Sequence, residues 1–175
     1  MKRILFIILV FIAAFLAVVA IQPDDFRVER SIVISAPPAV IFAQVNAQKN
    51  WVNWSPWEKM DPDMKKSLEG PEEGVGSVAK WSGNGQVGKG SSTILESKPN
   101  EYIKFQLDFE EPMQGTDISE FTFKPEGDKT KVTWNMSGKK NFMAKMIGLI
   151  MNCEKMVGDQ FDTGLNNLKT FTEKK

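Results

Sequence analysis

Residues 102–109 read Tyr-Ile-Lys-Phe-Gln-Leu-Asp-Phe, and this alternation constrains the chain more than any other feature. Ile103, Phe105, Leu107 and Phe109 fall on one parity, and Tyr102, Lys104, Gln106 and Asp108 on the other. Successive side chains of a strand point to opposite faces, so the pattern fits a strand with one face buried and one wet. The same period returns at 129–137, where Val132, Trp134 and Met136 alternate with Lys131, Thr133 and Asn135. Strands patterned this way belong in an antiparallel sheet that is covered on one side only.

Other segments extend that sheet. Residues 26–35 carry Val28, Ile32 and Ile34 on one parity, with Arg30 among them. Strands are also expected at 77–83 and 90–97, and a weaker one at 64–68. Residues 116–124 and 129–137 form an expected hairpin across Pro125-Glu126-Gly127-Asp128. The faces of 116–124 stay ambiguous, because Phe121 and Phe123 oppose Ile118, Glu120 and Thr122; if the two phenylalanines face inward, Glu120 is wet. Between the first strand and the rest, 38–45 reads as a short helix with Pro38 in its first turn. Trp51–Trp54 reads as a further helical turn stopped before Pro56.

The cover is expected from the last segment. In 142–171, Met146, Ile150, Cys153, Val157, Phe161, Leu165 and Leu168 recur every three or four residues, the spacing of an amphipathic helix. Thirty residues of helix would run about 45 Å. Gly158 and Gly164 lie on or beside its apolar stripe, where each costs about 1 kcal/mol relative to Ala. Room for a sheet side chain, room for a guest, or a kink would each explain them.

The head of the chain is different material. Lys2 and Arg3 precede Ile4–Ile21, which is 18 residues without a charged or polar side chain. That length suits a membrane span, for which about 17–25 residues are needed. Val18-Val19-Ala20 also fits a signal-peptidase site. The expected division is therefore 1–21 as transmembrane anchor or signal peptide, 22–25 as linker, and 26–175 as the domain. Under the positive-inside rule the domain lies outside the cytoplasm, single-pass at the inner membrane and periplasmic in a two-membrane cell, or secreted if cleaved near Ala20.

Composition excludes several chemistries. There is no histidine, so imidazole acid–base catalysis and histidine-bearing zinc sites are ruled out. Cys153 is the only cysteine, so no intrachain disulfide can form. The 22 basic and 22 acidic residues balance, and no basic patch suggests nucleic acid. Gly83-x-Gly85-x-x-Gly88 lies between strands and opens no helix, so it is not a dinucleotide fingerprint. The acidic clusters at Glu58–Asp63, Asp108–Glu111 and Asp117–Glu120 match no calcium loop and read as solvated surface.

Several motifs occur in a telling order: Arg30-Ser31-Ile32 then Ala36-Pro37-Pro38 with Val40-Ile41-Phe42; Asn50-Trp51 then Trp54-Ser55-Pro56-Trp57; Gly74-Val75-Gly76-Ser77 then Trp81; Lys129 to Trp134; Gly164-Leu165 with Leu168-Lys169. In this order they resemble the α+β helix-grip fold of the Bet v 1-like superfamily, also called START-like or SRPBCC. Within it the chain is most similar to polyketide cyclase/dehydrase-like members. The resemblance implies a curved antiparallel sheet of about seven strands, two short helices after the first strand, and a long C-terminal helix over an apolar cavity. The residues expected to line that cavity are Trp54, Trp57, Trp81, Phe105, Phe109, Trp134, Met136, Met146 and Ile150. Arg30 is a candidate for the head of an anionic amphiphile, for pairing with an acid, or for solvent. Trp51 and Trp54 are expected to anchor the short helix on the sheet, and Trp57 to sit at a rim. The expected function is a membrane-tethered module binding a small apolar, lipid-like molecule. A cyclase/dehydrase-type enzyme and an interaction protein with a filled core are the alternatives. No catalytic residue, cofactor or metal is assigned.

Overall fold

All the alternating segments join one antiparallel sheet. Its strands are β1 (Asp25–Ile34), β2 (Lys65–Glu69), β3 (Val78–Ser82), β4 (Lys89–Lys98), β5 (Tyr102–Glu111), β6 (Gly115–Glu126) and β7 (Lys129–Lys139). They lie in the order β1-β7-β6-β5-β4-β3-β2. The structure, a computed structural model, describes residues 2–174. Six strands follow one another as neighbours, while β1 returns to the far edge beside β7, with Arg30 opposite Trp134. The hairpin between β6 and β7 turns at Gly127, whose φ of 65° favours a residue without a Cβ.

The helices are α1 (Lys2–Ala20), α2 (Pro38–Asn46), α3 (Trp57–Met60), α4 (Phe142–Gly148) and α5 (Cys153–Glu173), with a 3-10 turn over Gln48–Asn53. The sheet is covered on one face by α2, the 3-10 turn and α5. That face carries Val28, Ile34, Ile94, Ile103, Phe105, Phe121, Phe123, Val132 and Trp134, all buried. The ambiguity in β6 resolves with Phe121 and Phe123 inward. Glu120 is then on the outer face, where it accepts hydrogen bonds from the Tyr102 hydroxyl and from Asn135 Nδ2.

One expectation fails. The single helix over 142–171 is two helices, α4 and α5, separated by an elbow at residues 149–152. The cause is local and was present in the sequence as two asparagines. Asn141 Oδ1 accepts from the Ala144 amide at 2.9 Å, and Asn152 Oδ1 accepts from the Lys155 amide at 2.9 Å. Each satisfies an orphan amide of a first turn, so each starts a helix of its own. The hydrophobic spacing ran through the break because Met146 sits before it, Ile150 within it and Cys153 after it.

The glycines of α5 are explained by the sheet. A Cβ on Gly164 would lie 2.8 Å from Trp134 Cζ3, and one on Gly158 would overlap the Arg30 guanidinium. Both glycines let α5 settle onto a large side chain rising from the sheet.

Candidate ligand cleft

The covered face divides in two. Under α2, the 3-10 turn and α5 it is filled by aromatic rings. Trp134 stacks on Phe161 with centroids 3.9 Å apart and planes 7° from parallel, and it stacks on Phe121 at 4.7 Å. Trp54 meets Trp134 edge-on at 5.7 Å, and Trp51 meets Phe105 at 5.4 Å. Each such pair adds about 0.5–1.5 kcal/mol beyond its buried area. The indole N–H groups are also satisfied: Trp54 Nε1 donates to the Gln44 carbonyl at 3.0 Å, Trp51 Nε1 to the Val45 carbonyl at 2.9 Å, and Trp134 Nε1 to the Ser119 hydroxyl at 2.9 Å. The rings here pack against one another.

At the other end, where the elbow stands off the sheet, a partly open cleft of about 790 Å³ remains. Phe26 and Val28 of β1, Phe109 of β5 and Met136 of β7 form its sheet side, and Ile147, Ile150 and Val157 its helical side. Gln22 and Pro23, which follow α1, also line it. Ile150 hangs at the mouth, 79% exposed.

The expected lining therefore divides as well. Phe109, Met136 and Ile150 meet in the cleft. Trp54, Phe105 and Trp134 belong to the aromatic plug. Trp57 is half-buried at its edge, with its ring 5.7 Å from Trp134 and 6.4 Å from Phe161. Trp81 packs on Phe109 at 6.0 Å but faces a groove near the sheet's other edge, not the cleft. Met146 lies half-buried on α4 outside the lining. Arg30 does not reach the cleft either; its Nε donates to Asp162 Oδ2 at 2.9 Å and its Nη1 to the Glu29 carbonyl at 2.8 Å. Of the three fates open to Arg30, pairing with an acid is the one realised.

One cleft residue was read from the sequence as solvated surface, and the structure corrects that reading. Asp117 lies at the start of β6 on the same parity as Ser119, Phe121 and Phe123, so its side chain enters the cleft. Burial pushes its carboxyl up to about 6, with no cation to oppose the shift. The parity that turns Phe121 inward also turns Asp117 inward, and this was the available signal. The lysines at this end are matched: Lys139 with Asp25 at 2.6 Å, Lys140 with Glu154 at 2.9 Å, and Lys145 with Asp24. Among the described residues no group of acids or Cys153 forms a metal-binding cluster.

A position-specific family model, described as polyketide cyclase / dehydrase and lipid transport, matches residues 25–173. Solved structures share the architecture. Protein CV1439 from Chromobacterium violaceum is 18% identical, with a TM-score of 0.60 over 87% of this chain and 99% of that one. The Aha1 dimer from Colwellia psychrerythraea is 18% identical, with a TM-score of 0.61 over 85% and 96%. The di-domain ARO/CYC StfQ of the steffimycin biosynthetic pathway is 9% identical, with a TM-score of 0.63 over 86% of this chain and 51% of that one. At these identities the likeness is one of fold. No curated protein matches the chain.

Proposed function

The chain belongs to the polyketide cyclase / dehydrase and lipid transport family, and on that premise we propose that it is a membrane-tethered binding module for a small apolar or amphipathic, lipid-like molecule. The observation that carries this reading is the 790 Å³ cleft, because ligand sites are concave, mostly apolar and about 300–1,000 Å³.

The place of the cleft supports the tether. α1 is 19 residues long, about 28 Å at 1.5 Å per residue, close to the roughly 30 Å hydrocarbon slab. Its side chains are exposed apart from Val19, which is buried where α1 meets α4. Around the cleft mouth Phe142, Met143, Leu149, Ile150, Met151 and Met156 are also exposed. Apolar side chains gathered at a surface mark contact with a protein or a membrane. With α1 in a bilayer, this patch would sit at its surface, and a ligand could pass from lipid to cleft without crossing water. The domain would then lie outside the cytoplasm, with Lys2 and Arg3 inside.

The test is native mass spectrometry of the full chain taken from its own membranes, paired with lipid extraction. A co-purifying amphiphile, displaced by an apolar fluorescent probe that binds saturably, is the expected result. Absence of both a co-purifying molecule and saturable probe binding would overturn the reading.

A cyclase/dehydrase-type enzyme is the second reading, favoured by Asp117 alone, whose raised carboxyl suits proton transfer near neutral pH. The filled-core alternative describes only the aromatic half of the covered face.

A further inference from the structure

The binding-module reading leaves open what polar group its ligand carries. Resting on that reading, we infer that Asp117 receives the ligand's head, and that this head is cationic, an alkyl amine being the simplest member of the class. Asp117 is the one carboxylate pointed into the apolar part of the cleft, in the company of Phe26, Phe109 and Met136. Its side chain has no hydrogen-bond or ion-pair partner among the described residues. A buried charge without a partner is costly, and the usual remedy is a counter-charge.

Lysines border the recess, but each is already paired with an acid. Lys139 and Lys140 line the same cleft, but each already faces an acid, Asp25 and Glu154 respectively. From α4, Lys145 is taken by Asp24. The remaining charged groups of the lining, Glu111 at the end of β5 and Glu154 on α5, are acids. An anionic head would therefore meet like charge, and a cationic head would complete the unpaired, half-buried carboxylate of Asp117.

The backbone is also shaped around this group. Asp117 stands opposite Gly138 in the β6–β7 register. A Cβ on Gly138 would run into the Asp117 carboxylate and come within 2.8 Å of the Phe26 ring. The bare glycine thus keeps the carboxylate and the phenyl ring side by side, an acid beside an apolar wall. That pairing matches an amphiphile with its charge at the end of an alkyl chain. A charge-assisted hydrogen bond there would contribute roughly tenfold or more in affinity.

The experiment uses the full chain in phosphatidylcholine nanodiscs, with dodecylamine, dodecanol and dodecanoate competing against an apolar fluorescent probe. At about pH 7.5 dodecylamine should bind roughly tenfold tighter than dodecanoate. Asp117→Asn should erase that preference and leave dodecanol within about twofold. Lowering the pH through about 6 should weaken the amine and spare the alcohol, because Asp117 then takes up a proton. A preference for dodecanoate, or an amine-to-acid ratio unchanged in Asp117→Asn, overturns the inference while the cleft reading stands. Failure of all three compounds to displace the probe overturns both.

Discussion

One sheet face carries two ends of unlike character. At one, Trp51, Trp54, Trp134, Phe121 and Phe161 interlock and every indole N–H has an acceptor. At the other, Phe26, Met136, Ile147 and Val157 border open space. Large apolar side chains rise from the sheet at both ends, Phe26, Phe109 and Met136 at the open one, so the sheet alone does not decide which end is filled. The cover decides. Gly158 and Gly164 draw α5 down onto Arg30 and Trp134. The elbow at 149–152, created by a second helix cap, holds α4 away.

That comparison can be broken first by cutting the plug. Trp134→Ala should cost about 3–5 kcal/mol in chemical denaturation, because it removes a stacked ring that its neighbours cannot replace. Ile150→Ala at the mouth should stay within about 0.5 kcal/mol. Equal losses would mean the two ends are packed alike. The glycines sharpen the same contrast. Gly164→Ala should cost about 1–3 kcal/mol by overpacking against Trp134 and Pro56. Gly148→Ala meets nothing within 4 Å and should gain up to about 1 kcal/mol from helix propensity.

A smaller effect is expected at Asp117. Its folded carboxyl is raised to about 6 from 3.8, so the native state holds the proton more tightly than the unfolded chain does. Stability contributed by this group is therefore present below pH 4 and lost as pH rises from about 4 to about 6. Asp117→Asn should be more stable than the parent above pH 6, by about 1 kcal/mol after allowance for partial solvent access, and should flatten that slope. Thermal melts across pH 4–8 read both effects. A small change in stability should also come from Val157→Trp, which puts bulk into empty space: a melting temperature within a few degrees of the parent, with apolar-probe affinity down roughly tenfold.

The strands were legible because a period of two in residues such as Ile103 to Phe109 has only one structural solution. The inward set of β6 became legible once Phe121 was taken as buried, and Asp117 followed from it by parity. The plug was legible in composition but not in place. Trp54, Phe105 and Trp134 were expected to border a space that they in fact fill. Parity tells which face a ring lies on, but not whether a ring from another element reaches it. The elbow was hidden for the opposite reason: apolar spacing spoke for one helix while a single asparagine started a new one.

The return of β1 to the far edge of the sheet has a consequence for biosynthesis. Its partner strand β7 lies about a hundred residues later, Ile34 pairing with Thr130 and Asp25 with Lys139. The last turn of α5 completes that edge, with Glu173 accepting from the Ser35 amide at 2.7 Å and Lys169 donating to the Val33 carbonyl at 3.0 Å. At 5–20 residues per second, β1 waits roughly 5–20 s for β7 to be made. Through that interval an apolar strand edge is exposed without a mate, and the long loop closure that ends it makes folding slow. The nascent chain is thus most open to aggregation before its last 45 or so residues appear, and a holding chaperone that covers β1 in that window should raise the yield of folded protein.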